Sequence, residues 1–227
     1  MQDPDAAPFN PLPPAVIALA VVIGGIEAMF QLATAGMLGG QGGIGWRVGA
    51  FQDYAVFNEV WDWMVATGNW PGEHLLRFVA YPFLHQGAVH AIMVVVFVLA
   101  LGKLVAEQFS AAAFLAIFAV SSLAGAFGFL LFTNSPAPLV GGYPGAFGLI
   151  GAFTFILWVR LTASNAPPAR AFTLIGFLAA VQLLFGILSG DFGGFAAEVT
   201  GFAAGFFASF VLSPGGWHRV IARLRQR

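Results

Sequence analysis

Six stretches of this chain read as nearly continuous apolar runs, separated by breaks rich in polar residues, glycine and proline. A bilayer-spanning helix needs about 20 predominantly apolar residues. The runs that qualify cover roughly 13–34, 86–106, 111–132, 144–162, 170–189 and 195–213, and each is expected to span as a helix. Glycine, proline and small polar residues interrupt them often, as suits helices packed in a bundle.

The 35–85 connection has a different pattern. Val48, Phe51, Tyr54 and Ala55, then Val60, Trp61 and Met64, recur at helical spacing with acids between them. The expectation is short helices lying in the membrane interface, anchored by Trp46, Trp61, Trp63 and Trp70. This segment is too short to build a soluble domain with its own core.

Composition agrees with a membrane reading. Of 227 residues, 59% are hydrophobic and only 8% charged, against about 25% charged in soluble domains. The expected layout is a tail over 1–12, one membrane domain over 13–213 and a basic tail over 214–227. A net charge of −1 argues against nucleic acid as a partner, and the lack of cysteine excludes disulfides and thiolate metal sites. The partners expected are membrane lipid and other integral membrane proteins; no cofactor is indicated. The first fourteen residues carry no Lys or Arg, so the first apolar run is read as a retained span and not a secretory signal.

Cations set the expected orientation. Lys103 follows the second span, Arg160 and Arg170 flank the link between the fourth and fifth, and the tail carries four arginines. With six spans these lie on one side, which the positive-inside rule makes cytoplasmic. The chain is therefore expected to be a multi-pass cell-membrane protein with both termini cytoplasmic.

Three motifs carry chemistry or its remains. Arg77 to Lys103 places an arginine, aromatics, His85 and His90 at the entry to the second span. Gly142-Tyr143-Pro144-Gly145-Ala146-Phe147-Gly148 opens the fourth, and Ala197-Glu198-Val199-Thr200-Gly201, continuing to Gly205, lies in the sixth. In order and placement these resemble the rhomboids, the intramembrane serine proteases, and Trp46-Arg47 in the first loop resembles a further feature of that family. The resemblance implies an all-α membrane protein: a six-transmembrane-helix rhomboid-type bundle with interfacial helices in loop 1.

It also implies a degenerate site. Pro144 stands where the family has its nucleophilic serine, Glu198 where it has the histidine base, and Val94 where it has an oxyanion asparagine; only His90 remains of the usual set. Without nucleophile, base and donor, covalent acyl transfer of the usual kind has no machinery. The chain thus looks like a rhomboid pseudoprotease with no catalytic residue, expected to bind transmembrane segments of partners for assembly, stabilisation or routing, or as an accessory subunit of a membrane complex. Proline at the start of a helix is well tolerated, so Pro144 can begin span four with the architecture kept.

His85, Gly142, Tyr143, Gly145, Gly148, Gly201 and Gly205 are candidate helix-binding or packing residues, with close helix packing the plainer reading of the glycines. Glu198, a carboxylate within an apolar span, is a functional-site hypothesis by default. It is read first as hydrogen-bonding within the bundle, next as a contact for a visiting helix, and last as a base or metal ligand. For His85 and His90 the plain reading is loop and helix-end hydrogen bonding. A metal site with Glu198 is disfavoured, because a five-residue step would set the histidines some 140° apart on one helix. Glu27 and Gln31, one turn apart in the first span, are placed to bond each other. Two alternatives stay open: an atypical protease with another nucleophile, for which Ser135 is the nearest serine, and a small transporter or channel using Glu27 and Glu198.

Overall fold

The computed structural model describes residues 11–215. Ten α-helices follow in order: α1 Pro14–Thr34, α2 Gly40–Gly43, α3 Trp46–Tyr54, α4 Asn58–Thr67, α5 Gly72–Ala80, α6 Ala88–Gln108, α7 Ala111–Phe132, α8 Tyr143–Ala163, α9 Thr173–Ser189 and α10 Gly193–Leu212. One 3-10 turn, Tyr81–Phe83, leads into α6 and another, Pro168–Phe172, into α9. No strand forms among the described residues; Val56 and Leu139 make an isolated antiparallel bridge.

Local chemistry sets the helix ends. Pro14 occupies the first turn of α1, where its missing N–H costs nothing. The Ser110 hydroxyl caps α7 by accepting from Ala113 N at 3.0 Å. Gly190 closes α9 in the left-handed conformation, φ 73°, the usual glycine stop.

Among the described residues six helices are long and apolar enough to cross a membrane, counting the 3-10 turn ahead of α9 with that helix. They coincide with the six expected spans within a few residues. The second begins at Ala88 rather than 86 because Gly87 is extended, with φ 169°. The fifth expected span starts in the 3-10 turn, and its α-helix begins at Thr173. Most of the two expected tails, 1–12 and 214–227, lies outside the described residues.

The core runs through α6, α7 and α8. Val94, Val98 and Leu101 of α6 meet Phe114, Ile117 and Phe118 of α7 and Phe147 and Ile150 of α8, and Val16, Leu19 and Ile23 of α1 are buried in the same cluster. α10 joins this core through glycine. A methyl on Gly205 would run into the Gly148 backbone, and one on Gly201 into the Pro144 backbone. Only glycine permits that approach of α10 to α8. By contrast, α9 buries only Ile175 and Gly186, and Phe177, Phe185, Ile187 and Leu188 stand exposed along it.

The loop-1 helices form as expected but pack more closely than surface anchors would. Val56, Met64, Phe78 and Tyr81 are buried with Ala126, Phe129 and Leu130 of α7. Trp46, Trp63 and Trp70 are exposed, as anchors should be. Trp61 is half-buried: it packs edge-on against Phe78 and Phe127, at centroid distances of 6.1 and 5.8 Å, and against Trp70 at 5.7 Å. Val48 and Tyr54 also point outward, so the apolar stripe expected for α3 is only partly turned to the bundle.

Candidate functional site

The segment before α8 is pinned from below. Gly141 N donates to the Tyr81 carbonyl at 2.9 Å, and Gly142 N donates to His85 Nε2 at 3.3 Å. Tyr81, itself fully buried, donates its hydroxyl to the Ser122 carbonyl at 2.5 Å, so the 81–85 turn is fixed to α7. At Gly141, φ is 97°, a region a side chain rarely adopts, and a methyl there would also strike the His90 ring. The chain is thus delivered to Tyr143 and Pro144 in the first turn of α8.

His90 lies beside this entry. Its ring stacks on Tyr143 with centroids 4.9 Å apart and planes at 21°, and its Nδ1 accepts from Gln86 N at 3.2 Å. His85 sits behind it, ring centroids 5.3 Å apart, fully buried. Both histidines therefore do the loop and helix-end bonding expected of them. The helical-wheel objection to a shared site does not apply, however: His85 precedes α6 and is not on its helix, and the two rings touch edge to face. Among the described residues no group of three or more His, Cys, Asp or Glu side chains is placed to hold a metal ion.

Above these groups opens a cavity of about 220 Å³. Pro144, Glu198 and His90 line it together, with Gln86, Tyr143, Ser135 and Asp191. Three of the four residues singled out from the motifs (His90, Pro144 and Glu198, but not Val94) are thereby brought to one place. Val94 is not among the lining residues: it is fully buried among apolar neighbours beneath Gly142. The candidate helix-binding glycines 142, 145, 148, 201 and 205 are all buried, spent on contacts within the chain. Of that set only Tyr143 lines the cavity.

Glu198 is buried and accepts a 2.5 Å hydrogen bond at Oε2 from Gln182 of α9. The intrabundle reading of this carboxyl thus has a named partner, one that sequence alone did not single out. Asp191, in the turn before α10, accepts from Gly193 N at 2.8 Å and from the Ser135 hydroxyl at 3.1 Å. Ser135 in turn accepts from Ala137 N at 3.2 Å.

Glu27 belongs elsewhere. Arg47 of α3 clamps it through Nη1 and Nη2, both at 2.8 Å, and also donates to the His85 carbonyl. Gln31 adds the expected bond from one turn on, at 2.6 Å. Glu27 does not line the Glu198 cavity. Arg77 holds the far side of loop 1, donating to the Ala55 carbonyl at 2.8 Å.

This order of helices, with the entry to α8, His90 and α10 meeting at one cavity, agrees with the family comparison. A Rhomboid domain model matches residues 72–215. The chain belongs to the rhomboid family. No curated protein matches it. The rhomboid match begins in α5, so α1 and the first loop-1 helices lie outside it. Those outer elements are tied to the rhomboid domain by the Arg47 contact to His85 and by the Val56–Leu139 bridge.

Proposed function

We propose that this rhomboid-family chain is a pseudoprotease that binds transmembrane segments of other membrane proteins, to assemble, stabilise or route them, alone or as a subunit of a membrane complex. The observation that carries the reading is the cavity itself. It has a polar lining between α6, α8 and α10, and it holds Pro144 and Glu198 where the resemblance would put the family's reactive groups. Proline has no hydroxyl to attack a carbonyl. Glu198 is engaged by Gln182, and buried Val94 has no donor for an oxyanion. Polar groups such as Gln86, Tyr143 and Glu198 can hydrogen-bond a visiting helix, as such side chains do between helices in membranes.

The test combines cleavage and cross-linking. Purified protein should leave a model transmembrane substrate intact, and Pro144→Ser alone should not start cleavage. A photo-cross-linker replacing exposed Gln86 at the cavity should trap a defined membrane protein in native membranes, and the same group at Leu115, exposed on α7, should not. Cleavage by the unaltered protein, or equal trapping at both positions, overturns the proposal.

One observation favours a second reading: Ser135, Asp191 and His90 share the cavity. An atypical protease would use the Ser135 hydroxyl with Asp191 as its proton acceptor. The first reading is preferred because Ser135 already serves the loop, bonding both Ala137 N and Asp191. Cleavage that is abolished in Ser135→Ala would reverse that preference.

A further inference from the structure

At the opposite end of the bundle, where α6, α8 and α10 finish, a second cavity of about 290 Å³ opens. Its volume is near the lower end of the ~300–1,000 Å³ common for small-molecule sites. Phe109, Phe155, Ile156 and Pro214 supply apolar walls, and Arg160 and Gln108 supply the polar edge. The Phe155 wall is held firmly, with its ring against Phe210 at 4.8 Å and Phe109 at 6.2 Å between centroids.

The polar edge is cationic, with no counter-ion among the described residues. Arg160 Nη2 donates to Gln108 Oε1 at 2.8 Å, which uses one of five guanidinium donors. No carboxylate lines the cavity, and Arg160 makes no ion pair among the described residues. The neighbouring acid on α6, Glu107, pairs with Lys103 at 4.0 Å. A cation beside a deep apolar wall at a membrane-protein end is complementary to an anionic amphiphile.

We propose that this cavity binds one anionic phospholipid, its phosphate on Arg160 and Gln108 and an acyl chain against Phe109, Phe155 and Ile156. The site is separate from the His90 cavity and stands whether or not the chain cleaves substrates.

The experiment is native mass spectrometry of the full-length protein in mild detergent with added phosphatidylglycerol or phosphatidylcholine. Phosphatidylglycerol should be retained in preference. Arg160→Ala should weaken its retention about fivefold or more, and Arg160→Lys should keep most of it. Replacing Arg219, Arg223, Arg225 and Arg227 by Gln should leave one phosphatidylglycerol bound. The proposal is overturned if Arg160→Ala binds like the unaltered protein, if the tail replacement removes all bound lipid, or if phosphatidylcholine is held equally. Displacement of the lipid by millimolar inorganic phosphate would also overturn it, since the apolar wall would then contribute nothing. Unchanged thermal midpoints of the lipid-free variants separate these outcomes from misfolding.

Discussion

Gln182 of α9 reaches across to α10 and donates a 2.5 Å hydrogen bond to Glu198. The bond matters because α9 has so little else: two of its seventeen residues are buried. Interhelical hydrogen bonds in membranes average about 0.6 kcal/mol and reach about 1.7 kcal/mol. Glu198→Ala and Gln182→Ala should each lower the unfolding midpoint in a denaturing-detergent titration, with a coupling in that range between them. Glu198→Gln keeps an acceptor and should cost less than Glu198→Ala. Additive single effects would show that the bond holds nothing.

The pair of Arg47 and Glu27 should be more sensitive to one-sided loss. Its side chains are 14% and 6% exposed, and the guanidinium also serves the His85 carbonyl. Removing one partner of a buried pair strands the other charge, at about 3–5 kcal/mol. The exposure of Arg47 puts the expected loss for Arg47→Ala near the lower end of that range, roughly 3 kcal/mol. The double change Glu27→Gln with Arg47→Gln should recover part of it. A double variant no more stable than Arg47→Ala would contradict the stranded-charge account.

The six spans were legible because bilayer thickness imposes one length and one composition on every crossing helix. The grouping of Pro144, Glu198 and His90 came from the resemblance of their motifs to the rhomboid pattern, and the structure brings the three to one cavity. What the sequence could not pair were long-range polar partners. Gln182 lies sixteen residues from Glu198 and Arg47 twenty from Glu27, and no helical period links such positions. Gln31 beside Glu27 was readable because four residues make one turn. The packing of half-buried Trp61 on Phe78 and Phe127 was not legible, because an amphipathic pattern marks an apolar face without saying whether lipid or α7 covers it. The glycines posed the same ambiguity, and here their faces are filled by the chain's own helices.

That filling makes a sharp contrast between glycines of one helix. A methyl at Gly205 would meet the Gly148 backbone, whereas at Gly194 nothing lies within 4 Å. Gly205→Ala must push α10 from α8, and such overpacking costs about 1–3 kcal/mol. Gly194→Ala, near the helix start and facing open space, should be neutral or slightly stabilising, by up to about 1 kcal/mol. Unfolding midpoints of the two variants, measured side by side, check the difference. Equal effects would mean that α10 does not pack on α8 through Gly205.

His85 gives the bundle a pH dependence. Burial foremost, then the neighbouring His90 and Arg47, lower its pKa from 6.5 to about 4, against the opposing pull of the Phe83 carbonyl and Glu27. Its Nε2 accepts from Gly142 N, a bond that requires that nitrogen to be unprotonated. An unfolded chain takes up a proton here near pH 6.5, and the folded chain only near pH 4. Between those values the unfolded state binds more protons, so stability falls as pH falls through that window and is fully present above it. The whole effect is on the order of 3 kcal/mol at most. In His85→Gln the side-chain carbonyl can still accept from Gly142 N, but nothing titrates. The stability of the natural protein relative to this variant should therefore fall steadily as pH falls from 6.5 to 4, and stay constant above 6.5. A difference that does not vary with pH would place the titration elsewhere than His85.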